Sequence, residues 1–365
     1  MSDSKLVVNS EVSDHDESIG EELESSHSEM TSNHSVLSLT AEHRDDGEEI
    51  TAAGLEGASV QFSARINVYE NIPFAGGDGD YSILSVLFGA HSIGGGIFGF
   101  LNMKDSNKVR VQCVECRQAV MDFQWMDAES KIKGSVKEWR AAFPVARAVN
   151  VSQRDDIVDA DFVHIRGDAR VRLHTVVMGG CKRVTDEAFV HLRGIHTLNI
   201  NYCDQVTITD AAFVHLRGIH TLNMNYCKQV TITDAAFIHL LAIQKLYMGG
   251  CNQETITDAT FIHLRGIHTL DISFCNQATI TDSAFIHLRG IHTLNMWGCN
   301  QATFTNSAFI HLCGIHTLYM HFCNQATITP AALIHLRGIH TLQTYGCSPA
   351  IQSAAAALLA ESASS

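Results

Sequence analysis

No stretch of this 365-residue sequence approaches the roughly 18 to 20 consecutive apolar residues that a membrane-spanning helix needs, and its N-terminus lacks the basic-then-apolar signature of a signal peptide. The expected location is the cytoplasm and/or nucleus, without a membrane partner. Positive charge is scarce, and the formal charge of -14 gives no footprint for a phosphate-backbone binder, so no nucleic-acid partner is expected. Aromatic residues are missing from the first 60 positions, which hold 15 Asp and Glu against Lys5 and Arg44. Such a segment buries too little apolar surface to offset chain entropy and reads as disordered, with Ser18, Ser25, Ser26 and Ser28 set among its carboxylates. No Ser, His, Asp trio and no paired carboxylates recur in a way that defines a pocket, so no active site and no cofactor are expected. Cys113 and Cys116 form a CxxC without a second pair of suitable spacing, which argues against zinc or redox chemistry. The glycine-rich stretch from Gly76 to Asp80 has no lysine to hold a phosphate and reads as a linker.

What the chain does have is repetition. Cys203, Cys227, Cys251, Cys275, Cys299, Cys323 and Cys347 fall 24 residues apart, and Cys181 stands 22 before the first of them. A fixed period in this range indicates stacked units that share one core. Eight cysteines in one repeat position suggest packing rather than a disulfide framework, and reduced thiols are expected. Their thiolates are disfavoured by apolar surroundings; Cys313, which replaces an exposed Arg, is the expected free thiol.

Within each unit, Leu192, Ile195, Leu198, Ile200 and Cys203 are spaced LxxLxxLxLxxC, the strand and turn of a leucine-rich repeat. Leu198 and Ile200 alternate with Asn199 and Asn201, so one face enters the core and the other meets solvent. After the cysteine, Thr209 caps a helix of about two turns, Asp210 complements its dipole, Phe213 packs inward and Gly218 ends it in the left-handed region. Pro330, directly after Thr329, fits the first helical position. The pattern reaches back to Val149, giving about nine strands. The fold class is α/β: a leucine-rich-repeat solenoid, curved parallel sheet inside and short helices outside, preceded by a small helical module and an acidic tail. The expected segments are tail 1–60, linker 61–80, helical module 81–122, connector 123–148, repeats 149–348 and C-terminal cap 349–365.

The order of strand, cysteine, Thr-Asp and helix, clearest at Cys181 to Asp186, resembles the cysteine-containing leucine-rich repeats of F-box proteins. Upstream, Ile97, Phe98, Phe100, Leu101, Asp105, Val109, Val111, Cys113, Arg117 and Ala119 read like the second half of an F-box, although Gly94, Gly95 and Gly96 stand where its first helix would run. The resemblance implies that Ile97, Phe98, Phe100, Leu101, Val109 and Val111 contact a Skp1-type adaptor. It also implies a substrate-recruiting subunit of a Skp1-cullin-F-box ubiquitin ligase, with a protein target on the concave face. The alternative is a leucine-rich-repeat interaction scaffold with no ligase role.

Comparing the units with one another locates the expected contact residues. Variation gathers at three positions read as facing inward from the strand, where Tyr202, Tyr226, Tyr247, Asp271, Phe274, Trp297, Tyr319, His321, Phe322 and Tyr345 supply rings and a carboxylate. Two histidine columns, His191 to His335 and His196 to His340, read as solvated ladders rather than metal sites, because parallel rings one strand apart do not converge on an ion. They are expected to charge together in acid.

Overall fold

The computed structural model describes residues 102–110, 114–168 and 171–363, and four short strands within the first 70 residues. It divides into two compact units, Met1–Phe123 and Gln124–Ser365. In the first, β1 (Lys5–Val7) pairs antiparallel with β3 (Thr40–Glu42), and β2 (Ser35–Ser38) with β4 (Asn67–Glu70). Helices α1 (Met103–Arg110) and α2 (Val114–Asp122) follow, with Met103, Ser106 and Val120 buried. The rest of the expected disordered tail and the linker lie outside the described residues, as do Ile97, Phe98, Phe100, Leu101 and Val111. Val109 falls on α1.

The second unit holds a parallel sheet whose nine strands are hydrogen-bonded in chain order. They are β5 (Ala148–Asn150), β6 (Thr175–Val177), β7 (Thr197–Asn199), β8 (Thr221–Asn223), β9 (Lys245–Tyr247), β10 (Thr269–Asp271), β11 (Thr293–Asn295), β12 (Thr317–Tyr319) and β13 (Thr341–Gln343). Each pairs with the equivalent residue of the next, as in Leu198 with Leu222. The in-register stack puts like side chains over one another. Leu198, Ile200, Cys203, Phe213 and their counterparts are buried in successive layers, except for the half-buried Thr344 of the last repeat.

On the opposite side most units carry a single α turn, such as Asp210–Phe213, that tightens into a 3-10 turn, Val214–Leu216, while Asp258–Ile262 stays α-helical. The two expected turns are present, but the second is wound more tightly, the usual way a short helix ends. Thr209 caps it by accepting from the amide of Ala211, and Thr185, Thr233, Thr257, Thr281 and Thr305 do the same in their units. The last unit departs from the expected pattern. With Pro330 at its start, the element Pro330–Leu336 is 3-10 throughout and Thr329 makes no capping bond; its hydroxyl accepts instead from Asn306 Nδ2 at 2.9 Å.

Asp210 does more than face a dipole. Its carboxylate accepts from the amide and the hydroxyl of Thr233, one repeat on, at 2.8 and 2.7 Å. The same pair of bonds joins Asp186 to Thr209, Asp234 to Thr257 and Asp258 to Thr281. Other ladders run alongside. Cys227 Sγ donates to the Ile200 carbonyl at 3.1 Å, Gln229 Nε2 to the Cys203 carbonyl at 3.1 Å and Thr231 Oγ1 to the Ile208 carbonyl at 2.8 Å. Repeats are thus joined by buried hydrogen bonds as well as by apolar contact.

Each turn after the 3-10 segment needs a positive φ, which glycine adopts freely: Gly218 has φ +82° and open space around the position of a Cβ. Ala242 occupies this site in one repeat at φ +70°. Because the six glycine counterparts are sterically free, only the backbone conformation is at issue. Ala242→Gly is expected to stabilise the array by about 1 kcal/mol, read as a higher denaturation midpoint, and a lower midpoint would contradict the assignment.

Both ends are closed. Residues 124–147, read from the sequence as a connector, cover the outer edge of β5. Trp125 O accepts from the amides of Arg147 and Ala148, and Ile132 N donates to Asn150 O. Here α3 (Val136–Ala142), capped by Ser135, and Trp125, Ile132 and Phe143 build a satellite core. At its centre Arg140 donates to the carbonyls of His164, Phe143, Pro144, Ala146 and Ile165. Burial lowers its pKa to about 10. At the other end, the helix Pro349–Ala363 buries Ile351, Ala355 and Leu358 against the last repeat. Among the described residues no helix is long and apolar enough to cross a membrane.

Candidate interaction face

The three variable positions divide between strand and turn, which corrects their placement on the strand. The first closes the strand, and in several repeats it serves the backbone. Asn199, Asn223, Asp271 and Asn295 accept through Oδ1 from the amides of Asn201, Asn225, Ser273 and Trp297, at 2.8 to 3.1 Å. These local turns occupy an oxygen of Asp271 that the sequence reading assigned to a partner. Tyr247 and Tyr319 hold the same position and are half-buried.

The third position lies in the left-handed region, with φ +58° at Tyr202, +59° at Tyr226, +56° at Phe274 and +54° at Phe322. Elsewhere the column is glycine. A Cβ on Gly250, Gly298 or Gly346 would come within 2.5, 2.7 or 2.4 Å of the ring of Tyr226, Phe274 or Phe322, so each of these rings lies on the glycine of the next repeat. Tyr202 stacks instead on Tyr226, with centroids 4.7 Å apart. The glycines that interrupt the aromatic column in the sequence are therefore seats for its rings.

Around Trp297 the second and third columns merge. The Trp297 centroid is 5.9 Å from Phe274, 5.4 Å from His321 and 6.2 Å from Phe322, and Phe322 meets Tyr345 edge-on at 5.3 Å. His321 Nε2 bonds Gln343 Oε1 at 2.7 Å, fixing its imidazole between the rings of Trp297 and Tyr345. Phe274, Trp297, Phe322 and Tyr345 remain 42%, 41%, 40% and 69% exposed. Of the ten residues expected on this face, five form one cluster, Tyr202 and Tyr226 form a separate pair, and Asp271, Tyr247 and Tyr319 lie at strand ends.

The histidine columns are organised more closely than a solvated ladder. His196 and His220 stack with centroids 4.5 Å apart, and His268, His292, His316 and His340 continue at 4.4 to 4.5 Å after Gln244 interrupts the series; His174, not anticipated, heads it. Desolvation and then the neighbouring imidazoles lower the pKa of His174, His196 and His316. In the second column desolvation and the adjacent arginine lower His215, His287 and His311. A histidine whose folded pKa lies below its ordinary value of about 6.5 takes up more protons when unfolded, so it stabilises the fold above that pH and the contribution is lost as pH falls through the folded value. The melting temperature is expected to drop between pH 7.5 and 5.5, and to drop less in His292→Gln, which copies Gln244. A flat profile in the wild-type chain would refute this.

The column of cysteines is inert by construction. Burial pushes Cys203 up to about 11 and Cys275 and Cys323 up to about 12. Cys313 is exposed. Among the described residues no three His, Cys, Asp or Glu side chains gather as a metal site.

No protein-family model and no curated protein matches the sequence. Solved structures do match. TLR13 in its complex with ssRNA13 aligns with 64% of this chain and 34% of its own at 16% identity, TM-score 0.51. Toll of the Drosophila Toll–Spatzle complex aligns with 64% and 39% at 13% identity, TM-score 0.43. Human 5T4, a trophoblast glycoprotein, aligns with 48% and 70% at 16% identity, TM-score 0.40. The chain thus spans 34% of the length of TLR13 and 39% of that of Toll. With the strand order and the repeat spacing, the TLR13 match gives the fold as a leucine-rich-repeat solenoid.

Proposed function

We propose that the chain is a protein-interaction scaffold of the cytoplasm and/or nucleus, which holds its partner on the ring cluster around Trp297 and performs no chemistry itself. One observation carries the reading. Phe274 and Phe322 keep a left-handed backbone, unfavourable for a residue with a Cβ, at positions where their rings stay exposed and join Trp297, His321 and Tyr345. Exposed aromatic area with few rotors, beside buried glycines, is the anatomy of a binding hot spot.

The ubiquitin-ligase reading is narrower. It rests on the resemblance at Ile97 to Ala119, and purified Skp1-type adaptor decides it: retention by the full chain and loss on deleting residues 81–121 would add the ligase role to the scaffold. For the scaffold itself, affinity capture with quantitative mass spectrometry compares the wild-type chain with Trp297→Ala, Phe322→Ala. Both side chains are at the surface, so folding is expected to persist while specific partners fall about tenfold or more, as for a central aromatic anchor. An unchanged partner set in a folded double variant would reject the proposal.

A further inference from the structure

The aromatic column is furnished differently in its two halves. Lys228 stands over the Tyr226 ring with Nζ 5.8 Å from the centroid, within the range at which an ammonium is attracted to a π face. Lys228 directly follows the repeat cysteine, and the later repeats place Asn276, Asn300 and Asn324 there. These side chains are neutral, and Asn276 and Asn300 are engaged along the array: their Oδ1 atoms accept from the amides of Asn300 and Asn324 at 2.6 and 2.7 Å. Phe274, Trp297 and Phe322 are therefore exposed, and among the described residues no lysine or arginine lies over them. Asp271 closes its strand three residues before Phe274, with one carboxylate oxygen accepting from the Ser273 amide. Electron-rich ring faces that no lysine or arginine of the chain covers, with a carboxylate close by in sequence, complement a cation.

We infer that the Trp297 cluster is a cation–π dock for an arginine- or lysine-bearing segment of a protein partner, whose side chain occupies the kind of ring face that Lys228 covers at Tyr226. The inference rests on the scaffold reading and names the chemistry of its partner. A single-stranded nucleic acid also stacks on exposed rings, but it needs a basic groove along its backbone, and the column after the cysteines turns neutral beside this cluster.

The chain has three tryptophans, of which Trp125 and Trp139 are buried, so Trp297 is the exposed indole and reports directly on its own surroundings. The full chain is titrated with an acetylated tetra-arginine peptide, with the matching citrulline peptide of the same shape and no charge, and with a short single-stranded RNA. Indole fluorescence and calorimetry are followed. The arginine peptide is expected to perturb Trp297 and to bind about tenfold more tightly than the citrulline peptide, and Trp297→Leu, Phe322→Leu, which keeps apolar area without rings, is expected to lose about tenfold. The acidic first 60 residues are present in both proteins, so their attraction for the arginine peptide cancels in the comparison of the wild-type chain with the leucine variant, which reads the ring dependence. Equal affinity for the two peptides, an unchanged affinity in the leucine variant, or tighter ring-dependent binding of the RNA would each overturn the inference. If the peptides fail while a Trp297-dependent protein is still captured, the basic class is lost and the scaffold stands; if capture fails too, both are lost.

Discussion

Arg140→Met is expected to destabilise the repeat unit by about 3 to 5 kcal/mol, because several buried carbonyls lose a charge-assisted donor at about 1 to 3 kcal/mol each. Few side chains in the unit hold so many elements together. The guanidinium is buried, lies 4.6 Å from the Trp139 ring centroid, and donates to carbonyls at the end of α3 and to His164 and Ile165 in α4 (Asp161–Arg166). Those two carbonyls belong to the last turn of a helix, where no amide of the same helix can reach them. Its pKa of about 10 leaves it charged at neutral pH, so its bonds are charge-assisted. Methionine fills much of the volume but withdraws a donor from all five carbonyls, although Phe143 O keeps the amide of Ala146. Arg140→Lys should also lose most of the stability, because a single ammonium cannot span acceptors that a planar fork reaches from two sides. Denaturant unfolding measures both, and a loss under about 1 kcal/mol for the methionine variant would contradict the role given to this residue.

Asp234→Ala is expected to cost about 2 to 4 kcal/mol, since it strips a carboxylate from three donors and leaves a buried hydroxyl without an acceptor. Asp234 accepts from the amide and hydroxyl of Thr257 and from the hydroxyl of Thr260, at 2.8, 2.7 and 2.5 Å, and Thr260 is fully buried. The chain contains its own control. Asn306 takes the equivalent place before the last repeat, accepting from the Thr329 amide and donating to its hydroxyl, both at 2.9 Å. Asp234→Asn should therefore retain most of the stability, with a loss under about 1 kcal/mol. In a stacked array the alanine lesion falls on the interface between neighbouring units, so unfolding in two steps is the expected signature. A single transition at the wild-type midpoint would show that the ladder adds nothing.

Much of the fold could be read from the chain because it depends on short-range order. The alternation Leu198, Ile200 against Asn199, Asn201 sets which residues enter the core, and a threonine before an aspartate marks five of the helix starts. The bonds between repeats were not legible. Asp210 to Thr233, Gln229 to Cys203 and Cys227 to Ile200 join positions 23 to 27 apart, and nothing in the local sequence distinguishes a carboxylate facing a dipole from one reaching the next unit. The closing segment at Trp125, Trp139 and Arg140 was also missed, because it carries no leucine period and its arginine reads as a surface charge.

At the candidate site the sequence identified the aromatic residues but not their arrangement. Four of them adopt a backbone conformation that rings seldom take, which moves them from the strand into the turn, three onto neighbouring glycines and Tyr202 onto Tyr226. Asp271 and the asparagines in line with it looked variable because several side chains can close the same turn. Trp297, by contrast, could be singled out from its size and position alone, and it lies at the centre of the cluster.

The strict register of the ladders bears on how such a chain grows. The Asp–Thr bonds recur from copy to copy at a constant offset, so a module gained or lost in whole 24-residue steps re-forms the same bonds at the new junction. The outer rings impose a further grammar. A copy that follows Phe274 or Phe322 has to offer a bare backbone beneath the ring, as Gly298 and Gly346 do, or a second ring able to lie flat, as Tyr226 does after Tyr202. Length can thus vary with little penalty in the interior, while the order of copies is checked at the surface.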